Sequence, residues 1–234
     1  MPGLVIVTGH YGTGKSEFSV NLALKKRSFE GEAVTLVDLD IVNPYFRSRE
    51  ARGVLEAEGI RVISNSLNLD TGVDLPAISP AVAGSLEDRE RTVIVDLGGD
   101  PVGARVMRRF RTSVPEEAVE VLYVVNPFRP ENATVERTRA SLRGIEESSG
   151  LRVTGLVNNA HLLDQTRPEH LLQGDRECRE LSRLLSLPIR YVSGRREVLD
   201  SLLDGNSREE IPAGEPLIIE MYLRQEWMAS TETE

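Results

Sequence analysis

The stretch GLVIVTGHYGTGKSEF, Gly3 to Phe18, joins an apolar, β-branched run to a glycine-punctuated turn that ends in Lys-Ser. Leu4 to Val7 read as a buried strand, and Gly9, Gly14, Lys15 and Ser16 match the spacing G-x-x-x-x-G-K-[ST]. Such a loop is a phosphate cradle. Glycine lets the backbone N–H groups of Gly9, His10, Tyr11, Gly12, Thr13 and Gly14 converge on phosphate oxygens. The helix expected from Lys15, with Glu17 in its first turn, adds the positive end of its dipole. Lys15 supplies a mobile charge and Ser16 a hydroxyl for Mg²⁺. The glycines at 9, 12 and 14 do not make G-x-G-x-x-G, so the dinucleotide fingerprint is excluded.

The chain around this loop has 234 residues, 40% of them hydrophobic, which suits one sizeable α/β domain spanning 1–234. Lys and Arg number 28 against 37 Asp and Glu, a net charge of −9, so the surface as a whole repels phosphate backbones and no nucleic-acid partner is expected. One cysteine, Cys178, cannot form an internal disulfide or a C-x-x-C metal site. His10, His161 and His170 are too scattered to suggest a metal site and read as structural. No basic region precedes the first apolar run and no window has the length of a membrane span, so the expectation is a soluble, cytoplasmic protein with no membrane partner. The final residues, 229–234, are expected to be disordered.

Apolar β-branched runs recur at 4–7, 33–37, 60–63, 92–95, 119–125, 152–157 and 188–192, with helical patterns between most of them. Alternation of this kind predicts β/α units, and continuous apolar strands predict a sheet covered on both faces. The fold class is therefore α/β, a doubly wound, mostly parallel sheet of about seven strands with helices on both faces. In such sheets ligands collect at the carboxyl ends of strands, and every conspicuous polar motif here falls at such an end. They are the phosphate loop, DLDIVNPYFRSRE from Asp38, DLGGDPVGAR from Asp96, NPFRP from Asn126 and NNAHL from Asn158.

Asp96 stands where a carboxylate could hold Mg²⁺ or its water shell opposite Ser16, and Gly99 follows at D-x-x-G spacing, where its N–H could turn towards a γ-phosphate. Asp38 and Asp40, at alternate positions of an extended chain, point to the same side. Asp38 is expected near Mg²⁺ through water, and Asp40 to orient the attacking water; the alternative is that one of them caps the following helix. Tyr45, Phe46, Arg47 and Arg49 suit either a substrate contact or the first turn of a buried helix. Arg105, Arg108, Arg109 and Arg111 could bind an anionic substrate, but the last three read better as a solvated helix face.

Together, GHYGTGKSEFSVNLAL, VTLVDLDIVNPYFRSRE, VIVDLGGD and GLVNNAHL resemble the CobQ/CobB/MinD/ParA group of P-loop NTPases, which also includes dethiobiotin synthetase and the nitrogenase iron protein. The resemblance runs from Gly3 to about Leu203 and implies bound Mg-ATP or ADP, with the Asp38 and Asp96 loops as switches. It further implies an asparagine after the sixth strand at the adenine edge, a place held by Asn158 and Asn159; no Asn-Lys-x-Asp guanine motif occurs, so ATP is expected over GTP. Where the partition and division ATPases carry a second lysine for a nucleotide-sandwich dimer, this chain has His10, so a homodimer is possible but not implied. Three functions fit: an ATPase that switches with a protein partner, an enzyme like dethiobiotin synthetase that activates a small carboxylate cosubstrate, or a nucleotide-gated adaptor.

Overall fold

In the computed structural model, residues 3–40, 48–64, 80–114, 118–203 and 211–223 are described. All seven apolar runs become strands: β1 (Leu4–Thr8), β2 (Val34–Leu39), β3 (Arg61–Ser64), β4 (Thr92–Leu97), β5 (Val119–Val125), β6 (Gly155–Asn158) and β7 (Ile189–Gly194). An eighth, β8 (Glu215–Ile218), pairs with β7 at the sheet edge. The order is β3-β2-β4-β1-β5-β6-β7-β8 and every pair is parallel.

Each parallel neighbour needs a crossover, and the helices supply it. They are α1 (Lys15–Ser28), α2 (Arg52–Ala57), α3 (Pro80–Leu86), α4 (Pro101–Ala104), α5 (Val135–Ser149), α6 (Pro168–Leu185) and α7 (Arg196–Leu203). The stretch after β4 divides into α4, which Asp100 caps by accepting from the Val102 and Gly103 N–H groups, and a 3₁₀ turn, Arg105–Phe110. Residues 41–47, with the candidates Tyr45, Phe46 and Arg47, and the end of the chain from 224 lie outside the described residues.

Because strand residues alternate between faces, β1 feeds two cores. Leu4 and Ile6 join Met107, Leu142, Ile145 and Cys178 on one face, while Val5 and Val7 join Phe18, Leu22, Leu55, Leu217 and Leu223 on the other. The second core is the α1 face. Leu36 and Ile94 also point into it, so Asp38 and Asp96, two residues further along their strands, are delivered to the same side as the start of α1.

The C-terminal segment closes over α1. The Asn21 amide donates to the Glu220 carbonyl and its oxygen accepts from the Glu220 N–H, both at 2.9 Å, and Leu223 is buried. Among the described residues no helix is long and apolar enough to cross a membrane.

Candidate functional site

The loop between β1 and α1 is held open by glycine geometry. Gly9, Gly12 and Gly14 have φ of +150°, +76° and +86°, the left-handed region that other residues avoid. Thr13 closes the turn by donating from Oγ1 to the His10 carbonyl at 2.9 Å. Gly14 is the N-cap of α1, and no side chain caps it, so the first N–H groups of that helix are presented at the loop without a protein acceptor among the described side chains.

Opposite this N-terminus the sheet register sets Asp38 beside Asp96, directly paired across β2 and β4, with Val7 of β1 on the other side of Asp96. Lys15 Nζ lies 3.3 Å from Asp40 Oδ2, and Asp38 Oδ1 accepts from the Asp40 N–H at 3.1 Å. Arg49, on a 3₁₀ turn before α2, approaches Asp38 Oδ2 to 3.8 Å. Both Asp96 oxygens are buried without a hydrogen bond among the described residues; the Ser16 hydroxyl lies near enough to favour the charged form but outside hydrogen-bond geometry. Burial pushes the Asp96 carboxyl well above the ordinary carboxylate value, Lys15 offsets part of that rise, and Asp38 adds to it. Burial likewise raises Asp38, against the pull of Arg49.

An orphaned buried carboxylate beside a serine hydroxyl and a lysine fits a hydrated divalent cation. Among the described residues no three His, Cys, Asp or Glu side chains gather to hold a metal unaided.

Gly99 is packed against the phosphate loop itself, where an added Cβ would overlap the Gly9 carbonyl and stand 3.1 Å from the Tyr11 nitrogen. Gly99→Ala must therefore push the two loops apart. The expected result is at least a tenfold loss of nucleotide affinity with about 1–3 kcal/mol of destabilisation, read by titration and urea unfolding. Gly53→Ala, where a Cβ meets open space, leaves affinity unchanged.

Other site candidates are placed differently from one another. His10 is half-buried on the rim with Nδ1 3.3 Å from the Tyr11 carbonyl, and Tyr11 is exposed. The Glu17 carboxylate accepts from the Tyr222 and Leu223 N–H groups at 2.7 and 3.2 Å, which ties that side chain to the C-terminal segment. Glu17→Ala is expected to cost about 1–3 kcal/mol in denaturant unfolding with Mg-ATP affinity unchanged; a loss of affinity at unchanged stability would reverse that assignment.

The two asparagines after β6 also separate. Asn158 is fully buried, its Nδ2 donating to the Leu171 carbonyl at 2.9 Å and its Oδ1 accepting from the Ala160 N–H at 3.3 Å, so its amide is spent within the fold. Asn159 donates from Nδ2 to the Thr13 carbonyl of the phosphate loop at 2.7 Å and accepts from the Ser193 hydroxyl at 2.7 Å. Of the two, Asn159 is the one bonded to the phosphate loop. Arg105, Arg108 and Arg109 are exposed, with Arg108 donating to the Glu147 carbonyl, as a solvated face does.

Two neighbours on this rim were not read as site residues from the sequence: Arg129 was not singled out, and His161 read as structural. Arg129 Nε donates to the Gly12 carbonyl at 2.8 Å, and His161 is held at its backbone by both ends of the Asn126 amide, at 3.2 and 3.3 Å. Their motifs, NPFRP and NNAHL, were visible as rim loops; nothing in the sequence said which of their side chains turn inward.

No protein-family model matches the chain, and no curated protein matches it. Solved structures do. Cell division protein FtsY from Thermotoga maritima is similar over 82% of this chain and 62% of its own, with 26% identity and a TM-score of 0.54. Signal recognition particle receptor FtsY from Elizabethkingia anophelis, in complex with GDP, is 21% identical over 82% and 57% of the two chains, TM-score 0.55. The signal recognition particle 54 kDa protein from Aeropyrum pernix, also with GDP, is 21% identical over 82% and 41%, TM-score 0.51. The chain therefore spans less than two thirds of each of these proteins. Fold and phosphate loop together are those of a P-loop NTPase, a nucleotide-binding α/β protein. These neighbours, a cell division protein and two signal recognition particle proteins, support that superfamily and not the narrower CobQ/CobB/MinD/ParA group.

Proposed function

We propose that the chain is a Mg²⁺-dependent nucleoside triphosphatase of the MinD/ParA-like kind, with ATP as its substrate. The observation that carries this reading is the orphaned Asp96 carboxylate facing Lys15 and Ser16 below an uncapped helix N-terminus. The loop N–H groups and Lys15 hold the β- and γ-phosphates and oppose the charge that builds as the phosphoryl group transfers. Ser16 and Asp96, with Asp38 through water, are the residues that would hold Mg²⁺, which would supply positive charge against the phosphate oxygens. Asp40, beside Lys15, accepts a hydrogen bond from the attacking water and orients it in line. Gly99, already against Gly9, carries the state of the triphosphate into the loop after β4.

GTP is the second reading, favoured by the GDP in two of the structural neighbours. Against it, the residues that follow Asn159 are Ala160, His161 and Leu162, with no carboxylate to accept from guanine N1 and N2. Phosphate release with Mg-ATP and, separately, Mg-GTP decides between them. Release that is faster with ATP and absent without Mg²⁺ supports the first reading; release faster with GTP replaces it with the second. Tight nucleotide binding with no release leaves the adaptor function in place of an ATPase.

A further inference from the structure

The strand order divides the rim. The carboxylates Asp38 and Asp96 come from β2 and β4, on one flank of β1 and its phosphate loop, while β5 and β6 lie on the other. A triphosphate whose metal and terminal phosphate face the carboxylates must lead its nucleoside out along the β5–β6 flank. This step rests on the phosphate-binding reading above.

That flank is built. Three consecutive residues of the phosphate loop are each met by a side chain from it: Arg129 Nε donates to the Gly12 carbonyl, Asn159 Nδ2 to the Thr13 carbonyl, and His161 Nε2 stands 3.1 Å from where a Cβ on Gly14 would be. Asn126 ties the two supplying loops together through the His161 backbone. Yet the side chains are only partly used. Among the described residues Arg129 bonds through Nε alone, leaving both Nη groups open, and neither ring nitrogen of His161 has a partner. Burial, with Arg129 close by, holds the His161 ring down to a pKa of about 4, so it is neutral at physiological pH, with one nitrogen a donor and the other an acceptor.

We propose that Arg129 and His161 form the nucleoside half of the site, with the Arg129 guanidinium as the plane on which a purine base stacks and His161 as a polar contact at the base edge. Fixing Nε on Gly12 orients the guanidinium without consuming its face, and a fixed planar cation is suited to stacking on a π-system. A wider ring system gains more from such a plane, so purine triphosphates are favoured over pyrimidine ones.

The test compares equilibrium binding of Mg-ATP, Mg-CTP and inorganic tripolyphosphate to wild type, Arg129→Lys and His161→Ala, with circular dichroism to confirm folding. Lysine can still reach the Gly12 carbonyl but offers no plane. Arg129→Lys is expected to lose roughly tenfold in ATP affinity, to bind ATP and CTP alike, and to keep tripolyphosphate affinity within about twofold. His161→Ala is expected to lose ATP affinity by roughly three- to tenfold with tripolyphosphate again unchanged. Parallel losses for ATP and tripolyphosphate would overturn the proposal, because Arg129 would then be shaping the phosphate loop only. Wild-type protein that binds tripolyphosphate as tightly as ATP overturns it while leaving the phosphate site intact. Wild-type protein that binds neither overturns the phosphate-binding reading and this inference with it.

Discussion

Asp96→Asn is expected to make the nucleotide-free protein more stable while abolishing phosphate release. Asp96 is fully buried, both its oxygens lack hydrogen bonds among the described residues, and Asp38 lies next to it across the strand pair. Ionising it there means desolvating a charge beside another carboxylate, offset in part by Lys15. Its pKa in the folded protein is raised, so the folded state holds the proton more tightly than the unfolded chain. The resulting stabilisation is fully present below the ordinary value of 3.8 and is lost as pH rises through the raised one. Well above that window the wild-type protein carries the whole penalty and the asparagine variant carries none. Urea unfolding with EDTA at pH 8 should show the variant more stable by about 1–3 kcal/mol, with a flatter dependence of stability on pH. Phosphate release should fall by roughly 10²-fold or more, because in the proposed function the same charge would hold the cation. A variant less stable than wild type at pH 8 would mean that the ionised carboxylate is satisfied within the fold.

Lys15→Ala is the second large effect. The ammonium is buried, 3.3 Å from Asp40, and also favours the charged form of Asp96. In the proposed function removing it would take away the charge that meets the phosphates, so phosphate release should fall by roughly 10²–10³-fold. It also leaves Asp96 less compensated, so the carboxyl takes up its proton at still higher pH, and the variant should lose more stability at pH 8 than at pH 6. Adding Asp96→Asn to Lys15→Ala should restore much of that stability and none of the activity. If the double variant is no more stable than Lys15→Ala alone, Lys15 and Asp96 are not coupled as the geometry indicates.

Much of this was legible along the chain because the relevant interactions are local. A strand, a turn that only glycine can make, and a lysine and serine at the start of a helix occupy adjacent positions, so the phosphate loop appears in the order of residues. The seven apolar runs likewise announce a sheet covered on both faces, since a one-sided sheet would alternate. Strand β8 escaped notice because it is four residues long and contains Pro216, which an edge strand tolerates and an interior strand does not. Glu17 was placed with the nucleotide by its neighbours in sequence, whereas its acceptor role is filled by N–H groups 205 and 206 residues away.

The same division holds for the chemistry. The sequence by itself set the expectation of a nucleotide ligand, because the loop that would cradle its phosphates is continuous and its backbone geometry follows from residue type. Only the tertiary structure decided which of Asn158 and Asn159 faces the loop, that Asp38 abuts Asp96, and that Arg129 and His161 stand on the opposite flank. Those facts depend on strand order and register, which bring together residues far apart along the chain, and no pattern within one strand encodes its neighbour.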